Sequence, residues 1–298
     1  MKQKQNHKKL IMKRVQNERH WVGDGFYVSS MVLPDPAVYS HHDPFVMLDY
    51  AAPRHFEASL KPKGIGEHPH RGFETVTFAI QGEISHRDSG GGGGTIGAGE
   101  VQWMTAGSGL VHEEFFSESF TKAGGIMEMV QLWVNLPRKF KMTQPKYQGI
   151  EKSKIPKVQL AQGISAKVFA GELQGTKGPC STFTQINVYE LEIKKSEKFL
   201  LQLREATNTL CLLLRGNIAF DSEAVQQGEL AVLSQEGSQI ELYASGPEES
   251  SRLLVLNAEP INEPIVAHGP FVMNTKEEIL QAIQDYQSGK MGRLEKTQ

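Results

Sequence analysis

The chain has little of three features that would point directly to a class of protein. Only two of its 298 residues are cysteines, which excludes the disulfide framework of a small secreted protein. No apolar run approaches the ~18 residues of a membrane-spanning helix. The charge is balanced, with 34 acidic and 32 basic residues, so there is no strong electrostatic signal for nucleic acid or a membrane surface. We therefore expect a cytoplasmic protein in which Cys180 and Cys211 are ordinary thiols.

Three segments have unusual composition. The basic N-terminal segment, residues 1–16, has a single apolar stretch of three residues, Leu10 to Met12, which is too short for a secretory signal and favours a solvated tail. The five glycines from Gly90 to Gly94 are followed by neither a Lys-Ser/Thr pair nor a helical pattern, which favours a flexible hairpin loop over a phosphate-binding loop. Residues 135–157 are rich in Pro and Lys and predict an interdomain linker.

Most of the chain has the pattern of β-strands. Short runs rich in β-branched and aromatic residues, such as FETVTFAI, MEMVQLWVNL and INVYELEI, recur between Gly, Pro and Asp clusters, as is typical of an all-β sandwich or barrel. Helical periodicity is strong only near the end, in NTKEEILQAIQDYQSGK. There Thr275 and Glu278 have the spacing of a capping box, and Gly289 is placed to end the helix. We predict that this helix packs against a sheet.

The two halves of the chain resemble each other. ETVTFAIQGEI at 74–84 matches NTLCLLLRGNI at 208–218, with Gly82 opposite Gly216. Downstream, GEVQWM from Gly99 resembles GELAVL from Gly228. The sequence therefore predicts two copies of one small β-barrel.

Two pairs of polar residues suggest a metal site. Side chains at positions i and i+2 of a strand point to the same face, about 6 to 7 Å apart, so His68 and His70 can converge on one point. His112 and Glu114, in GSGLVHEEFF, have the same spacing. Three imidazoles and a carboxylate suit Fe(II), Mn, Ni, Co, Cu or Zn better than Ca or Mg. On a six-coordinate ion, four such ligands leave two positions for substrate and oxygen.

Some assignments at this site stay open. Glu74 follows His70 closely and is an alternative carboxylate ligand, whereas Glu113 should point away from His112. His86 could line the site or lie on the surface of the hairpin, and we favour the surface.

The repeat offers a comparison for the two histidines. A shift of 134 residues carries His68 and His70 onto Gln202 and Arg204, which are not comparable metal ligands. We therefore expect the metal chemistry to be confined to the first copy.

The motifs HPHRGFET and QWMTAGSGLVHEE together resemble the core motif of the pirin family, in the cupin superfamily. DPFVMLDYAAP at 43–53 and the segment at 263–292 are similar to the family's flanking motifs, so the resemblance covers most of the chain from about Met12. It implies an all-β bicupin of two β-barrels, each a double-stranded β-helix, with a short C-terminal helix. On this basis we expect an N-terminal metal-binding domain at 1–140 and a C-terminal domain at 141–298 that has lost its ligands.

The resemblance also implies a ligand set. By position, the family's ligands fall on His68, His70, His112 and Glu114. Cupins at large usually take the carboxylate from a glutamate at the place of Glu74, whereas pirins take it from the second motif, so we favour Glu114 and leave Glu74 a supporting role. The expected cofactor is one divalent metal, Fe(II) first, with Ni, Co, Cu, Mn and Zn as alternatives.

Members of this family are similar to quercetin 2,3-dioxygenases, which open the heterocyclic ring of a flavonol with oxygen and release carbon monoxide. The resemblance thus implies a monomeric dioxygenase acting on a flavonol-like aromatic substrate and O₂, with Glu114 taking the 3-hydroxyl proton. Four aromatic residues are candidates for an apolar slot or for ordinary core: Phe45, Phe73, Trp103 and Phe116.

Some pirins instead resemble redox-sensing regulators that bind a transcription factor or a metabolic enzyme. This is the alternative function, and it involves a protein partner with no direct contact to nucleic acid. A purely structural metal is a third possibility, which the expected open coordination positions disfavour.

Overall fold

The computed structural model describes residues 8–294. Within them the chain forms 26 strands and two α-helices. The first strands are β1 (Ile11–Val15), β2 (Arg19–Val22), β3 (Phe26–Val32), β4 (Phe45–Phe56), β5 (Gly64–His70), β6 (Phe73–Gln81), β7 (Ile84–Asp88), β8 (Gly93–Ile96), β9 (Val101–Thr105), β10 (Leu110–Phe116), β11 (Gly125–Asn135) and β12 (Lys146–Ile150). The remaining strands are β13 (Lys157–Ala161), β14 (Ile164–Ala170), β15 (Glu172–Leu173), β16 (Thr176–Lys177), β17 (Ile186–Lys194), β18 (Lys198–Gln202), β19 (Asn208–Arg215), β20 (Asn217–Phe220), β21 (Glu223–Gln226), β22 (Leu230–Leu233), β23 (Gln239–Ser245), β24 (Ser250–Ala258), β25 (Val266–His268) and β26 (Phe271–Met273). The helices are α1 (Glu118–Ala123) and α2 (Lys276–Gln287), and short 3₁₀ turns span Tyr39–His41, Arg138–Phe140 and Lys152–Lys154.

The described chain forms two compact units that are interleaved in sequence. The larger unit contains residues 17–39, 44–152 and 261–294, and the smaller unit contains residues 8–16, 40–43 and 153–260. This division differs from two contiguous domains meeting at residue 140. The C-terminal segment belongs to the larger unit because α2 packs on apolar side chains that include Val111, Phe271 and Met273. The N-terminal strand belongs to the smaller unit because β1 pairs with β22.

Each unit contains one seven-stranded and one four-stranded sheet, joined in the same order. In the larger unit the orders are β12-β9-β6-β11-β4-β3-β2 and β5-β10-β7-β8. In the smaller unit they are β1-β22-β19-β24-β17-β14-β13 and β18-β23-β20-β21. Gly82 and Gly216 occupy equivalent turns, with φ of 85° and 80°. The predicted all-β repeat is therefore confirmed strand by strand.

Alternating side chains build the interior of each unit. Along β23, every second residue is buried, namely Ile240, Leu242 and Ala244, as expected for a strand with one face on an apolar core. Along β6, every residue from Phe73 to Ile80 is buried, so both faces of this central strand are covered.

The C-terminal helix has the predicted signals. Thr275 accepts from the backbone N–H of Glu278, and the Glu278 side chain accepts from the N–H of Thr275, which completes the capping box. Gly289, with φ of 77°, follows the last turn. No helix in the described part of the chain is long and apolar enough to cross a membrane.

Two sequence interpretations need correction. Part of the supposed linker is strand β12, which pairs with β9 at the edge of a sheet. Residues 1–7 of the supposed tail lie outside the described residues, but Lys9 is fully buried. Its ammonium group donates to the carbonyls of Thr207, Ser234 and Gln235 at 2.8 to 3.1 Å. Three carbonyl acceptors replace the water that this charge loses on burial.

Candidate metal centre

Two neighbouring antiparallel strands bring the predicted histidines together. His112 on β10 lies directly opposite His68 on β5, and Leu110 lies opposite His70. The ring centroids of His68 and His112 are 4.2 Å apart, and that of His70 is 4.8 Å from each of them. One ligand atom from each ring lies within 4.8 Å of the others. The structure thus gathers the three imidazoles that the sequence predicts.

A hydrogen bond orients each of the first two rings through Nδ1. His68 Nδ1 lies 2.8 Å from the carbonyl of Gly66, and His70 Nδ1 lies 3.3 Å from the carbonyl of Pro270. A carbonyl only accepts, so Nδ1 carries a proton in each ring, and in the neutral form of the ring Nε2 keeps a free electron pair. Burial lowers the pKa of His70 well below its usual value, which keeps the ring neutral and able to bind a metal.

The third ring is held by a residue that we expected on the surface. His86 is buried, and its Nδ1 lies 3.2 Å from Nδ1 of His112, while its Nε2 lies 3.2 Å from Asp88 Oδ2. In the neutral tautomer that faces the carboxylate, His86 carries its proton on Nε2, which leaves Nδ1 of His86 to accept from His112. Nε2 of His112 then has a free electron pair, and it is buried with no hydrogen-bond partner among the described residues. The spacing of His86 and Asp88, the same i, i+2 relation as the first pair, is the signal that could have found them.

The five-glycine loop closes around Asp88. The backbone N–H groups of Gly90 and Gly92 donate to Asp88 Oδ1 at 2.8 and 3.0 Å. A Cβ at Gly92 would lie 2.5 Å from Asp88 Oδ2, so this approach requires glycine. Burial alone would raise the pKa of Asp88, but the hydrogen bonds from His86, Gly92 and Gly90 outweigh it and hold the pKa below its usual value. The predicted hairpin is present, and its loop binds the protein's own carboxylate.

Glu114 faces the same interior space. A bulge in the β5–β10 pairing follows His112, so Glu114 lies opposite Ile65 rather than continuing the register. Its Oε1 accepts from the side-chain amide of Gln102 and from the Thr77 hydroxyl, the latter at 3.2 Å. Oε2 carries neither of these hydrogen bonds. Glu114 also forms, with His86 and His112, a second group of potential ligands, but both nitrogens of His86 are already hydrogen-bonded.

Glu74 lies away from this site. It is three residues before Thr77 on β6, so the two side chains point to opposite faces of the strand. The Thr105 hydroxyl donates to Glu74 Oε1 at 2.7 Å, and neither group of potential ligands includes Glu74. Burial raises its pKa to about 7. We expected Glu74 to support the metal ligands, but in the structure it makes no contact with them.

Replacing Glu74 with glutamine is therefore expected to stabilise the protein at alkaline pH. A folded-state pKa of about 7 against an ordinary value of 4.5 means that stability is full below pH 4.5 and is lost as the pH rises to about 7. The difference corresponds to roughly 3 kcal/mol. Urea unfolding should show Glu74→Gln about 2 to 3 kcal/mol more stable at pH 8, with the gap shrinking toward pH 5.

Metal content is the second readout for this variant, and Glu67→Gln, on the exposed side of β5, is the matched control. Glu74→Gln should bind metal like the native protein. A loss of metal in Glu74→Gln would instead show that Glu74 is a metal ligand.

A cavity of about 230 Å³ adjoins His68, His70 and Glu114. Its apolar wall is formed largely by Phe26, Val28, Met47, Met129 and Trp133. The four aromatic residues that we considered for this wall are instead fully or almost fully buried side chains that do not line the cavity: Phe45, Phe73, Trp103 and Phe116.

The C-terminal segment holds the loop after the second histidine. Arg71, which directly follows His70, donates through Nε to the carbonyl of Ser108 at 2.7 Å and through Nη1 to Asp285 of α2 at 2.9 Å. Lys141 is fully buried, and its ammonium group donates to the carbonyls of Gly72 and Val272 and to Asn135. Residues far apart in sequence therefore fix the position of this strand end.

The smaller unit has apolar residues at the equivalent positions. Its register pairs Leu201 with Ile240 and Phe220 with Leu242, as the larger unit pairs His68 with His112 and His86 with Glu114. These four side chains belong to one buried apolar cluster.

This register corrects the comparison made from the sequence. The residues equivalent to His68 and His70 are Leu201 and Leu203, not their exposed neighbours Gln202 and Arg204. A cavity of about 770 Å³ lies in the smaller unit, but neither group of potential ligands among the described residues is there. The larger cavity is therefore not the one beside the potential metal ligands.

The residues of the larger unit fit a divalent transition metal. Neutral imidazoles with a carboxylate form the donor set that such ions prefer. The buried, unpartnered Nε2 of His112 supports this assignment, because an uncompensated buried acceptor is costly unless something binds it.

Comparisons with known proteins agree with this architecture. Residues 28–134 match the Pirin family model, and residues 188–292 match the model of the Pirin C-terminal cupin domain. A Pseudomonas aeruginosa protein provisionally named a quercetin 2,3-dioxygenase is 44% identical over 273 residues, which cover 91% of this chain and 94% of that protein. A pirin-like protein of Solanum lycopersicum is 40% identical, over 95% of this chain and 92% of its own.

Among solved structures, a quercetin 2,3-dioxygenase from Acinetobacter baumannii superposes with a TM-score of 0.91 and 46% sequence identity. The match covers 97% of this chain and 100% of that one. The repeated barrels, the two family models in chain order and relatives matched over almost their whole length lead to one conclusion. The chain is a bicupin that belongs to the pirin family.

Proposed function

We propose that His68, His70, His112 and Glu114 hold one divalent metal ion, Fe(II) in the cell, and that the protein is a dioxygenase that opens the heterocyclic ring of a flavonol with O₂. The observation that carries this proposal is the buried Nε2 of His112, which has no partner among the described residues and belongs to the residue shared by the group His68, His70 and His112 and the group that contains Glu114. The similarity to proteins named quercetin 2,3-dioxygenase supports the reaction class.

A bound divalent metal supplies Lewis acidity toward the 3-hydroxyl oxygen of a flavonol and the redox chemistry that a reaction with O₂ requires. Oε1 of Glu114 is occupied by hydrogen bonds from Gln102 and Thr77, so Oε2 is the oxygen that would hold the metal and, as that ligation loosens, would take the 3-hydroxyl proton. Those two donors also keep the carboxylate in place while its charge changes. Tyr147 Oη donates in turn to Gln102 Oε1 at 3.4 Å, which fixes which end of the amide faces Glu114.

The cavity binds the flat body of the substrate and excludes water from it. Phe26, Met47, Met129 and Trp133 offer apolar surface to an aromatic ring. At about 230 Å³ the cavity is smaller than the ~300 to 1,000 Å³ typical of ligand pockets, so it receives part of a flavonol and leaves the rest at its mouth.

The decisive experiment combines metal analysis with turnover. Protein loaded separately with iron, nickel, cobalt, copper or manganese is mixed with quercetin in air, and the loss of flavonol absorbance and the release of carbon monoxide are followed. We expect turnover with at least one metal. Glu114→Gln should lower kcat by about a hundredfold or more, since it removes the proton acceptor.

Glu113→Gln is the matched control, because Glu113 is adjacent in sequence but pairs with Arg87. Its turnover should equal that of the native protein. Absence of turnover with every metal would overturn the dioxygenase proposal. If, in addition, a protein partner bound only one oxidation state of the iron protein, the regulatory function would replace it.

A further inference from the structure

A row of polar side chains crosses the inner face of the seven-stranded sheet in the larger unit. Ser30 is the cross-strand partner of Asp49, Asp49 of Gln131, Gln131 of Thr77, and Thr77 of Gln102. Directly opposed residues in an antiparallel sheet project to the same face. The row therefore runs through the interior of the barrel and ends beside Glu114, which accepts from Thr77 and Gln102.

Most of this row is satisfied internally. The single Thr77 O–H is shared between Gln131 Oε1 at 2.9 Å and Glu114 Oε1 at 3.2 Å, and Gln102 donates to Thr77 Oγ1 at 3.0 Å. Asp49 is the exception. A hydrogen bond from the Ser30 side chain reaches its carboxyl group, but Oδ1 is buried and has no partner within residues 8–294.

Asp49 lines the metal-site cavity. It is 7% exposed, and it contributes to the wall of the same cavity as His68, His70 and Glu114. Burial among the apolar side chains of this wall raises the pKa of Asp49 above its usual value. An unpaired carboxyl oxygen in such surroundings is costly, and a ligand hydroxyl is the group that would satisfy it.

The spacing of the strands sets the reach of that ligand. Asp49 is two strands away from Thr77, and adjacent strands lie about 4.8 Å apart, so roughly 10 Å of sheet separates Asp49 from the residue that contacts Glu114. A ligand that contacts both Asp49 and the residues around Glu114 must span about this distance, which suits a molecule of two or three linked rings better than a single ring.

We infer that Asp49 recognises a hydroxyl group on the ring of the substrate farthest from its metal-binding oxygens, so that the preferred substrates are polyhydroxylated aromatics. This inference rests on the proposed function. It adds a specificity determinant to the wall of the same cavity, at a residue outside the proposed ligand set.

The test compares two flavonols that share the 3-hydroxy-4-oxo group. Quercetin carries additional hydroxyls on both outer rings, and 3-hydroxyflavone carries none. Binding to the metal-loaded protein is measured anaerobically from the shift in flavonol absorbance, so that it does not depend on turnover. The native protein should bind quercetin about ten- to a hundredfold more tightly than 3-hydroxyflavone.

Asp49→Ala should reduce this ratio to near one, mainly by weakening quercetin binding, while affinity for 3-hydroxyflavone stays within a few-fold. Asp49→Asn keeps an acceptor oxygen and the shape of the side chain, so it should retain much of the preference and remain informative if Asp49→Ala folds poorly. Met47→Leu, in the same wall and on the same strand, should change both affinities alike.

The outcomes separate this inference from the proposed function. Both flavonols binding equally well to the native protein, or an unchanged ratio in folded, metal-loaded Asp49→Ala, would overturn the role of Asp49 and leave the dioxygenase proposal standing. Failure of both flavonols to bind the native protein would remove the proposed function and this inference together.

Discussion

His112→Ala protein is expected to have lost its metal, with content below about a tenth of the native value after dialysis against trace chelator. His112 lies closest to the centre of the site, since its ring contacts those of His68, His70 and His86. Even residues that only orient a ligand change metal affinity by about 10- to 100-fold, so removing a ligand should exceed that range. Metal analysis by mass spectrometry measures the effect directly.

Thermal unfolding gives a second, independent readout. A metal that binds the folded state stabilises it by mass action, so a chelator should lower the Tm of the native protein and leave that of His112→Ala unchanged. His55→Ala is the control, because His55 is an exposed histidine paired with Glu57 outside the site. Stoichiometric metal in His112→Ala would show that the site has been assigned to the wrong residues.

Arg71→Met is expected to destabilise the larger unit by about 1.5 to 3 kcal/mol, because Oδ2 of Asp285 loses its charged donor while Oδ1 keeps Lys290 and Gln281. The side chains of Arg71 and Asp285 are 5% and 12% exposed. The same change removes the hydrogen bond to the Ser108 carbonyl, so the turn after His70 loses its tie to the loop before β10. We expect metal affinity to fall by about tenfold as well.

A double-mutant cycle separates the pair from its surroundings. Asp285→Asn and the combination with Arg71→Met, measured by urea unfolding, should give a coupling of 1 kcal/mol or more in magnitude, about that of contacting residues in one network. Lys122→Met, at the exposed pair with Glu118, should change stability little. A cycle with no coupling would mean that α2 is not fastened to the site through this pair.

The sequence predicted those features of the site that depend on local geometry. Side chains alternate along a strand whatever its partners are, so the spacing of His68 with His70 and of His112 with Glu114 was enough to place each pair on one face. The repeat was equally visible, because turn glycines such as Gly82 and Gly216 recur at positions that need a positive φ.

A single constant shift between the two repeats could not predict the strand register of the second barrel. A shift of 134 residues selected Gln202 and Arg204, whereas the pairing with β23 selects Leu201 and Leu203. Strands of different length and a bulge between His112 and Glu114 change the offset along the chain. A slip of one residue exchanges the two faces of a strand, so the comparison returned exposed polar residues in place of the apolar residues on the core side.

Contacts between strands that are distant in sequence were the other feature of the site that the sequence did not predict. Nothing near Asp49 in the sequence marks it as part of the cavity, because its neighbours Gln131 and Ser30 come from separate strands. Pro270 and Asp285 lie some 200 residues from the histidine strand that they support. Contacts of this kind depend on which strands become neighbours in the folded protein. That information cannot be read from the local sequence pattern around each residue.

The five-glycine loop has a consequence for engineering the protein. Runs of glycine at a hairpin tip are usually chosen for inserting tags or fusion partners, since surface loops tolerate added residues well. Here the backbone amides of Gly90 and Gly92 donate hydrogen bonds to Asp88. Asp88 in turn contacts His86, and His86 contacts His112, so the loop helps to orient the His112 ring. We expect an insertion at this tip to leave the barrel folded but to weaken metal binding. The glycine loop, which looks dispensable, should therefore be left unchanged.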